Sequence, residues 1–208
     1  MNKRIKDFLL QGEGENLDYK QTISSASKIA KTMAAFANHH GGTLLVGVKD
    51  NKKICGVRDA DEKYMLDLAA KFYCKPPVSL DLITHDIGGL EVIECKVLQG
   101  LDKPYYAKDE DGKWWVYVRV KDNTLLASKI VVDVLRKSNS EEGVLVTYGS
   151  KEKAILEYLT TNDRITLSEY KHLVNISTRR ATRIIVNLIT AGVLRSHTTE
   201  KVEYYTLV

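Results

Sequence analysis

Between residues 26 and 48 the spacing of apolar positions switches from intervals of three and four to a continuous run, and a glycine pair marks the switch. Ile29, Met33, Phe36 and Ala37 share one helical face, with Lys28 and Lys31 off it. Ser24 or Ser25 can cap the start of this helix. Gly41-Gly42 ends it, because glycine takes the left-handed cap without a Cβ penalty, and His39-His40 suits the negative helix end. Thr43 to Val48 then reads as a buried central strand from its length, its flanking glycines and its β-branched content. Lys49-Asp-Asn-Lys52 closes the strand, and Ile54 to Val57 is its expected hairpin partner.

The same pattern reading extends to both sides. Ile5, Phe8 and Leu9 predict a short helix over 2–10. Alternation over Leu17 to Thr22 predicts a strand with Leu17 and Tyr19 on one face and the charged Asp18 and Lys20 together on the other. Tyr64, Met65, Leu68, Ala69 and Phe72 predict a helix starting at Asp59 or Asp61 and closed by Pro76-Pro77. Strands follow at 78–84, 90–97 and 114–120, then a helix over 123–135 and a polar stretch over 136–143. The last 58 residues change texture: helices over 151–160, 166–174 and 177–190, then a hairpin. That is the winged helix-turn-helix order. The expected fold class is α+β, with a mixed-sheet domain over 1–137, a linker over 138–149 and a winged helix over 150–208.

Composition narrows the function classes. The 208 residues are 44% hydrophobic, enough for an ordinary core, and no apolar segment approaches the 18 or so residues of a membrane span. A cytoplasmic protein is the expectation. Cys55, Cys74 and Cys95 form no C-x-x-C pair and read as core residues. Neither a Walker nor a dinucleotide glycine motif is present. The net charge is +4, and the stretch from Gly149 onward, with nine Lys or Arg against six Asp or Glu, carries +3 of it. Mild basicity permits a nucleic-acid partner without requiring one. Trp114 and Trp115 alternate across a strand, so one is expected in the core and one outside.

Three separated motifs carry a resemblance: Glu13 to Lys20, the Ala-Phe-Ala-Asn-x-x-Gly-Gly-x-Leu-Leu-x-Gly-Val run of Ala35 to Val48, and Lys103-Pro-Tyr-Tyr106 leading to Trp115-Val-Tyr-Val-Arg-Val120. Together they resemble the Schlafen-type AlbA-like domain. The resemblance implies a DNA-binding module of a kind found in bacterial regulators. It also implies a second possibility. Glu13, Asp18 and Asp50, with Lys20 beside them, match the positions at which Schlafen nucleases hold a divalent metal, manganese or magnesium, to cleave RNA. Aspartate at 18 where those nucleases carry glutamate, and Lys49 beside Asp50, depart from that pattern.

The leading expectation is a DNA-binding transcriptional regulator, active as a homodimer and needing no cofactor, with RNA open as a target. Its reading surface would be Arg179, Arg180, Thr182, Arg183 and Asn187 on the third C-terminal helix, Lys201 in the wing and Lys20. A metal-dependent endoribonuclease and a non-catalytic protein-interaction module remain as alternatives.

Overall fold

In the computed structural model residues 3–57, 61–139 and 148–208 are described. The chain divides into two compact units, Met1–Leu126 and Ala127–Val208.

The first unit runs α1 (Lys3–Gln11), β1 (Leu17–Lys20), α2 (Ala26–Asn38), β2 (Gly42–Val46), α3 (Asp61–Phe72), β3 (Cys74–Lys75), β4 (Leu80–Ile87), β5 (Leu90–Val97), β6 (Tyr106–Lys108), β7 (Trp114–Val120) and β8 (Asn123–Leu126). Two four-stranded sheets result, in the orders β1-β2-β5-β4 and β3-β6-β7-β8. β1 pairs parallel to β2, and every other pairing is antiparallel. Helix α2 is buried around nearly its whole circumference, its alanines admitting close neighbours on every side. Its core joins Phe36 and Met33 to Leu44 and Val46 of β2, Ile93 and Cys95 of β5, and Ala107 of β6. On the opposite face of the first sheet, Leu45 and Val92 pack with Ile5 of α1, Leu17 and Tyr19. Both faces of β2 are therefore covered, which is why Leu44, Leu45 and Val46 read as an unbroken apolar run.

The glycine pair works as expected of it. Gly41 takes φ +80° and donates its N–H to Phe36 O at 2.9 Å, closing the end of α2. A Cβ on Gly42 would lie 2.4 Å from the Phe36 ring. Ser25 is the N-cap.

Several elements depart from the pattern reading. Tyr64 and Phe72 are 64% and 66% exposed, because α3 is turned by Glu62, whose carboxylate accepts from Thr22 Oγ1 and Ile23 N and draws Leu66, Ala69 and Ala70 inward. Residues 123–126, expected as the start of a helix, instead form β8, paired back on β7 through a turn with Lys121 at φ +57°. Ile54 makes a single bridge to Val48 rather than a strand. Trp114 and Trp115 are both partly exposed, at 38% and 41%, at the start of β7 where it pairs with the three-residue β6. Cys74 and Cys95 are buried, and burial pushes each thiol up to about 12. Cys55 is only half-buried.

The second unit comprises α4 (Lys129–Ser138), α5 (Ser150–Thr161), α6 (Leu167–Leu173), α7 (Thr178–Thr190) and the antiparallel pair β9 (Leu194–Thr198) and β10 (Glu203–Leu207). Ile165, between α5 and α6, bridges to Tyr205 with backbone bonds of 3.0 and 2.8 Å. The core holds Ile155, Tyr170, Ala181, Ile184, Ile185, Leu188 and Tyr205. Thr166 and Ser177 cap α6 and α7. Helix α4, which the pattern places at the end of the first domain, packs on α7 through Ile130 in this second core. Most of the expected linker, 140–147, lies outside the described residues.

Candidate nucleic-acid interface

Asp18 points inward. It is 4% exposed, and its Oδ1 accepts from Arg119 Nη1 at 3.2 Å, while Lys20 Nζ stands 2.5 Å from Oδ2. Arg119, itself 5% exposed, also donates to Thr124 Oγ1 at 3.1 Å and to Gly14 O at 2.6 Å, and its guanidinium lies 5.0 Å over the Phe36 ring. One side chain thus joins β7 and β8 to β1 and the turn before it. On the charged face of β1, Asp18 is buried because Arg119 supplies the opposite charge that burial demands. The other named acids lie elsewhere. Glu13 accepts from the Tyr19 backbone N–H at 2.9 Å and so staples the Gly12 to Asn16 turn to β1. Asp50 is exposed in the turn after β2. Among the described residues no three His, Cys, Asp or Glu side chains gather to hold a metal. Glu13, Asp18 and Asp50 do not fit a divalent cation in this arrangement, since Asp18 has two cations already and Glu13 is spent on backbone.

The Ala-Phe-Ala-Asn motif has its own task. Asn38, 4% exposed, donates from Nδ2 to Tyr105 O at 2.8 Å and Tyr117 O at 2.9 Å, and accepts from Tyr105 N at 2.7 Å. It fastens the end of α2 to the segment before β6 and to β7. Lys103 donates to His39 O at 2.7 Å, and burial lowers its pKa. His39 caps α2 through its backbone, and burial, then the charge of His40, lowers its pKa. The two rings meet edge to face at 4.4 Å.

Helix α7 is a different surface. Ala181, Ile184, Ile185 and Leu188 are buried, as their spacing predicts, and Arg179, Arg180 and Arg183 are exposed at its N-terminal half. None of these three arginines makes an ion pair among the described residues. Lys201 is exposed at the tip of the β9–β10 turn, which Thr199 holds by bonds to Val202. Lys20, engaged by Asp18 and donating to Tyr19 O at 2.9 Å, is half-buried in the first unit.

The C-terminal half of the outward face of α7 is not open. At 100° per residue Val186 falls opposite the core side chains, yet it is 2% exposed. Helix α4 covers it, and Lys137 of α4 donates to Asn187. A groove of about 1000 Å³ runs along this contact, with Lys129 and Ile130 on one wall and Arg179, Thr182, Arg183 and Val186 on the other. Thr182 and Asn187 are therefore half-buried beside α4 rather than presented to solvent.

A family model described as Schlafen, AlbA_2 matches residues 13–128. The chain belongs to the Schlafen, AlbA_2 family. The match begins at Glu13, takes in the Asp18–Arg119 pair and the Asn38 clamp, and stops before α5, α6 and α7. No curated protein matches the chain. Among solved structures, the chain is similar to the DIP2311 protein from Corynebacterium diphtheriae, with 16% identity, a TM-score of 0.48, and coverage of 71% of this chain and 35% of that one. It thus spans about a third of that protein's length. It is also similar to the N-terminal domain of a RecG-related protein from Nitrosomonas europaea, with 21% identity, a TM-score of 0.44, and coverage of 53% of this chain and 83% of that one. Among the described residues no helix is long and apolar enough to cross a membrane.

Arg119 and Asn38 are visible in the sequence only as members of motifs. Their roles depend on partners 101 and 67 residues away, which no local pattern announces.

Proposed function

We propose that this Schlafen, AlbA_2 family chain is a DNA-binding regulator that contacts nucleic acid through its second unit. The order α5, α6, α7, β9, β10, with Ile165 bridging to Tyr205 as a short third strand, supports reading that unit as a winged helix-turn-helix. The observation that carries the proposal is the three exposed arginines without ion partners at the N-terminal half of α7. Their stems leave a helix whose opposite face is locked in the core, so the cations are displayed from a rigid support. A helix N-terminus adds its own positive end, and phosphates suit both. Lys201 at the hairpin tip is placed to meet a further phosphate, as wings do.

Because α4 covers Val186 and engages Asn187, contact runs through the arginine end of α7, and Asn187 reaches bases only if α4 moves. Binding is favoured over cleavage by the state of the first unit's carboxylates, two of which are committed to Arg119, Lys20 and the Tyr19 N–H.

Fluorescence anisotropy with labelled duplex DNA and labelled RNA, each with and without manganese, tests this reading. The expected result is duplex binding that weakens as salt rises, with RNA left intact in both conditions. RNA cleavage that appears only with manganese would replace the reading with the nuclease. Absence of binding to either nucleic acid would replace it with a protein-interaction module.

A further inference from the structure

The first sheet ends in an edge strand whose outer side, among the described residues, pairs with no other strand. β4 spans eight residues, Leu80–Ile87, and among the described strands is hydrogen-bonded only to β5. In its middle, successive residues that point to opposite faces of the sheet are both open: Leu82 is 40% exposed and Ile83 is 43% exposed. An edge of this length with apolar side chains on both faces is a template for another strand. The opposite edge, β1, is only four residues long.

The hairpin turn fixes which backbone groups face outward. Gly88 and Gly89 both have positive φ, 63° and 82°, and connect Ile87 to Leu90 as a two-residue turn. Ile87 and Leu90 are then a hydrogen-bonded pair, and alternation makes Ile87, His85, Ile83 and Asp81 bond to β5. The bond from Leu98 N to Ser79 O at 3.1 Å continues the same alternation. The N–H and C=O groups of Leu80, Leu82, Thr84 and Asp86 consequently point away from the sheet. Among the described residues none of these groups has a backbone partner outside the strands.

We propose that β4 pairs antiparallel with β4 of a second copy of the chain, joining two first sheets into one eight-stranded sheet about a two-fold axis at Ile83. Self-complementarity singles out a second copy over another extended chain. Two antiparallel copies can bond only where outward-facing residues meet, and centring on Ile83 gives the longest such overlap. Leu82 then faces Thr84, Leu80 faces Asp86, Asp81 faces His85, and the two Ile83 side chains meet at the axis as a close non-hydrogen-bonded pair. No like charges stand opposite each other. A shift by one residue would set Asp81 against Asp86 and turn inward-facing groups toward outward-facing ones. The chosen register forms about eight new backbone hydrogen bonds. The pairing uses the first unit alone and does not rest on the nucleic-acid reading.

Sedimentation equilibrium of the full chain, with two variants, decides it. Thr84→Pro removes an outward N–H and leaves every β4–β5 bond in place. Ile83→Lys sets two ammonium groups against each other at the axis. The native chain is expected to show twice the 23.4 kDa chain mass, and both variants 23.4 kDa with unchanged circular dichroism. A native mass of 23.4 kDa across the concentration range, or a folded variant that keeps the doubled mass, overturns the proposal. Should either variant misfold, hydrogen exchange of the native chain decides: slow exchange at the Leu82 and Thr84 amides supports the pairing, and fast exchange there, beside protected Asp81 and Ile83 amides, rejects it.

Discussion

The first unit turns its characteristic charges inward, whereas the second turns them out. Asp18, Arg119 and Glu94 are each 5% exposed or less, and each is matched by an opposite charge. Arg179, Arg180 and Arg183 are exposed and make no ion pair among the described residues. The same residue type is therefore a strut in one place and a solvent-facing group in the other, and surroundings decide which. An arginine over a phenylalanine ring with three acceptor oxygens around it is costly to remove and has no charge left for a partner. An arginine on an open helix face costs the fold almost nothing and keeps its charge available.

The largest effect that separates the two regions is expected at Arg119. Arg119→Ala leaves the buried Asp18 carboxylate with the half-buried Lys20 as its one remaining cation and should cost about 3 kcal/mol, measured by urea unfolding. Replacing both partners, Asp18→Leu with Arg119→Met, should recover most of that loss. A single variant that costs no more than a surface substitution would show the pair to be solvated and break the contrast. A smaller loss, about 2–3 kcal/mol, is expected for Asn38→Ala, which leaves the Tyr105 N–H and the Tyr105 and Tyr117 carbonyls unsatisfied.

Acid should loosen the first unit in a defined direction. Burial raises the pKa of Glu94, but hydrogen bonds from Arg4 and His85, and then their charges, more than offset it and hold the carboxyl below its ordinary value. A depressed folded pKa gives stability that is present above the unfolded glutamate pKa, near 4.3, and lost as pH falls through the folded value. Since Arg4 lies on α1, that helix should release first. Melting temperatures between pH 7 and pH 3 should fall steeply for the native chain and less so for Glu94→Gln. Parallel slopes would remove Glu94 from the account.

The pattern of apolar positions carries the helices and most strands because those elements depend on neighbours in sequence. α2, β2 and β5 follow from runs within reach of one another, as does the buried face of α7. What escapes the pattern depends on distance. No periodicity says that Asp18 will meet Arg119 or that Glu62 will rotate α3 toward Thr22. β8 reads as helical because Leu125 and Leu126 fall at helical spacing from the apolar residues of α4, and only pairing with β7 decides otherwise. At the candidate interface, the exposed arginines are legible as the residues left over by the core stripe. The cover over Val186 is not, since it is supplied by a helix that the pattern assigns to the other domain.

The smallest effect on the fold and the most direct test of the function lie in the same variant. Arg179→Ala with Arg183→Ala removes two exposed cations from α7 and should change unfolding stability by no more than about 0.5 kcal/mol. Duplex DNA affinity of the full chain, measured for the native protein and this double variant across a range of salt concentrations, then tests whether the arginine end of α7 is the nucleic-acid surface. The account predicts weaker binding at low salt and a slope of log affinity against log salt reduced by roughly one for each phosphate that is no longer neutralised. Affinity and slope both unchanged in the folded variant would contradict it.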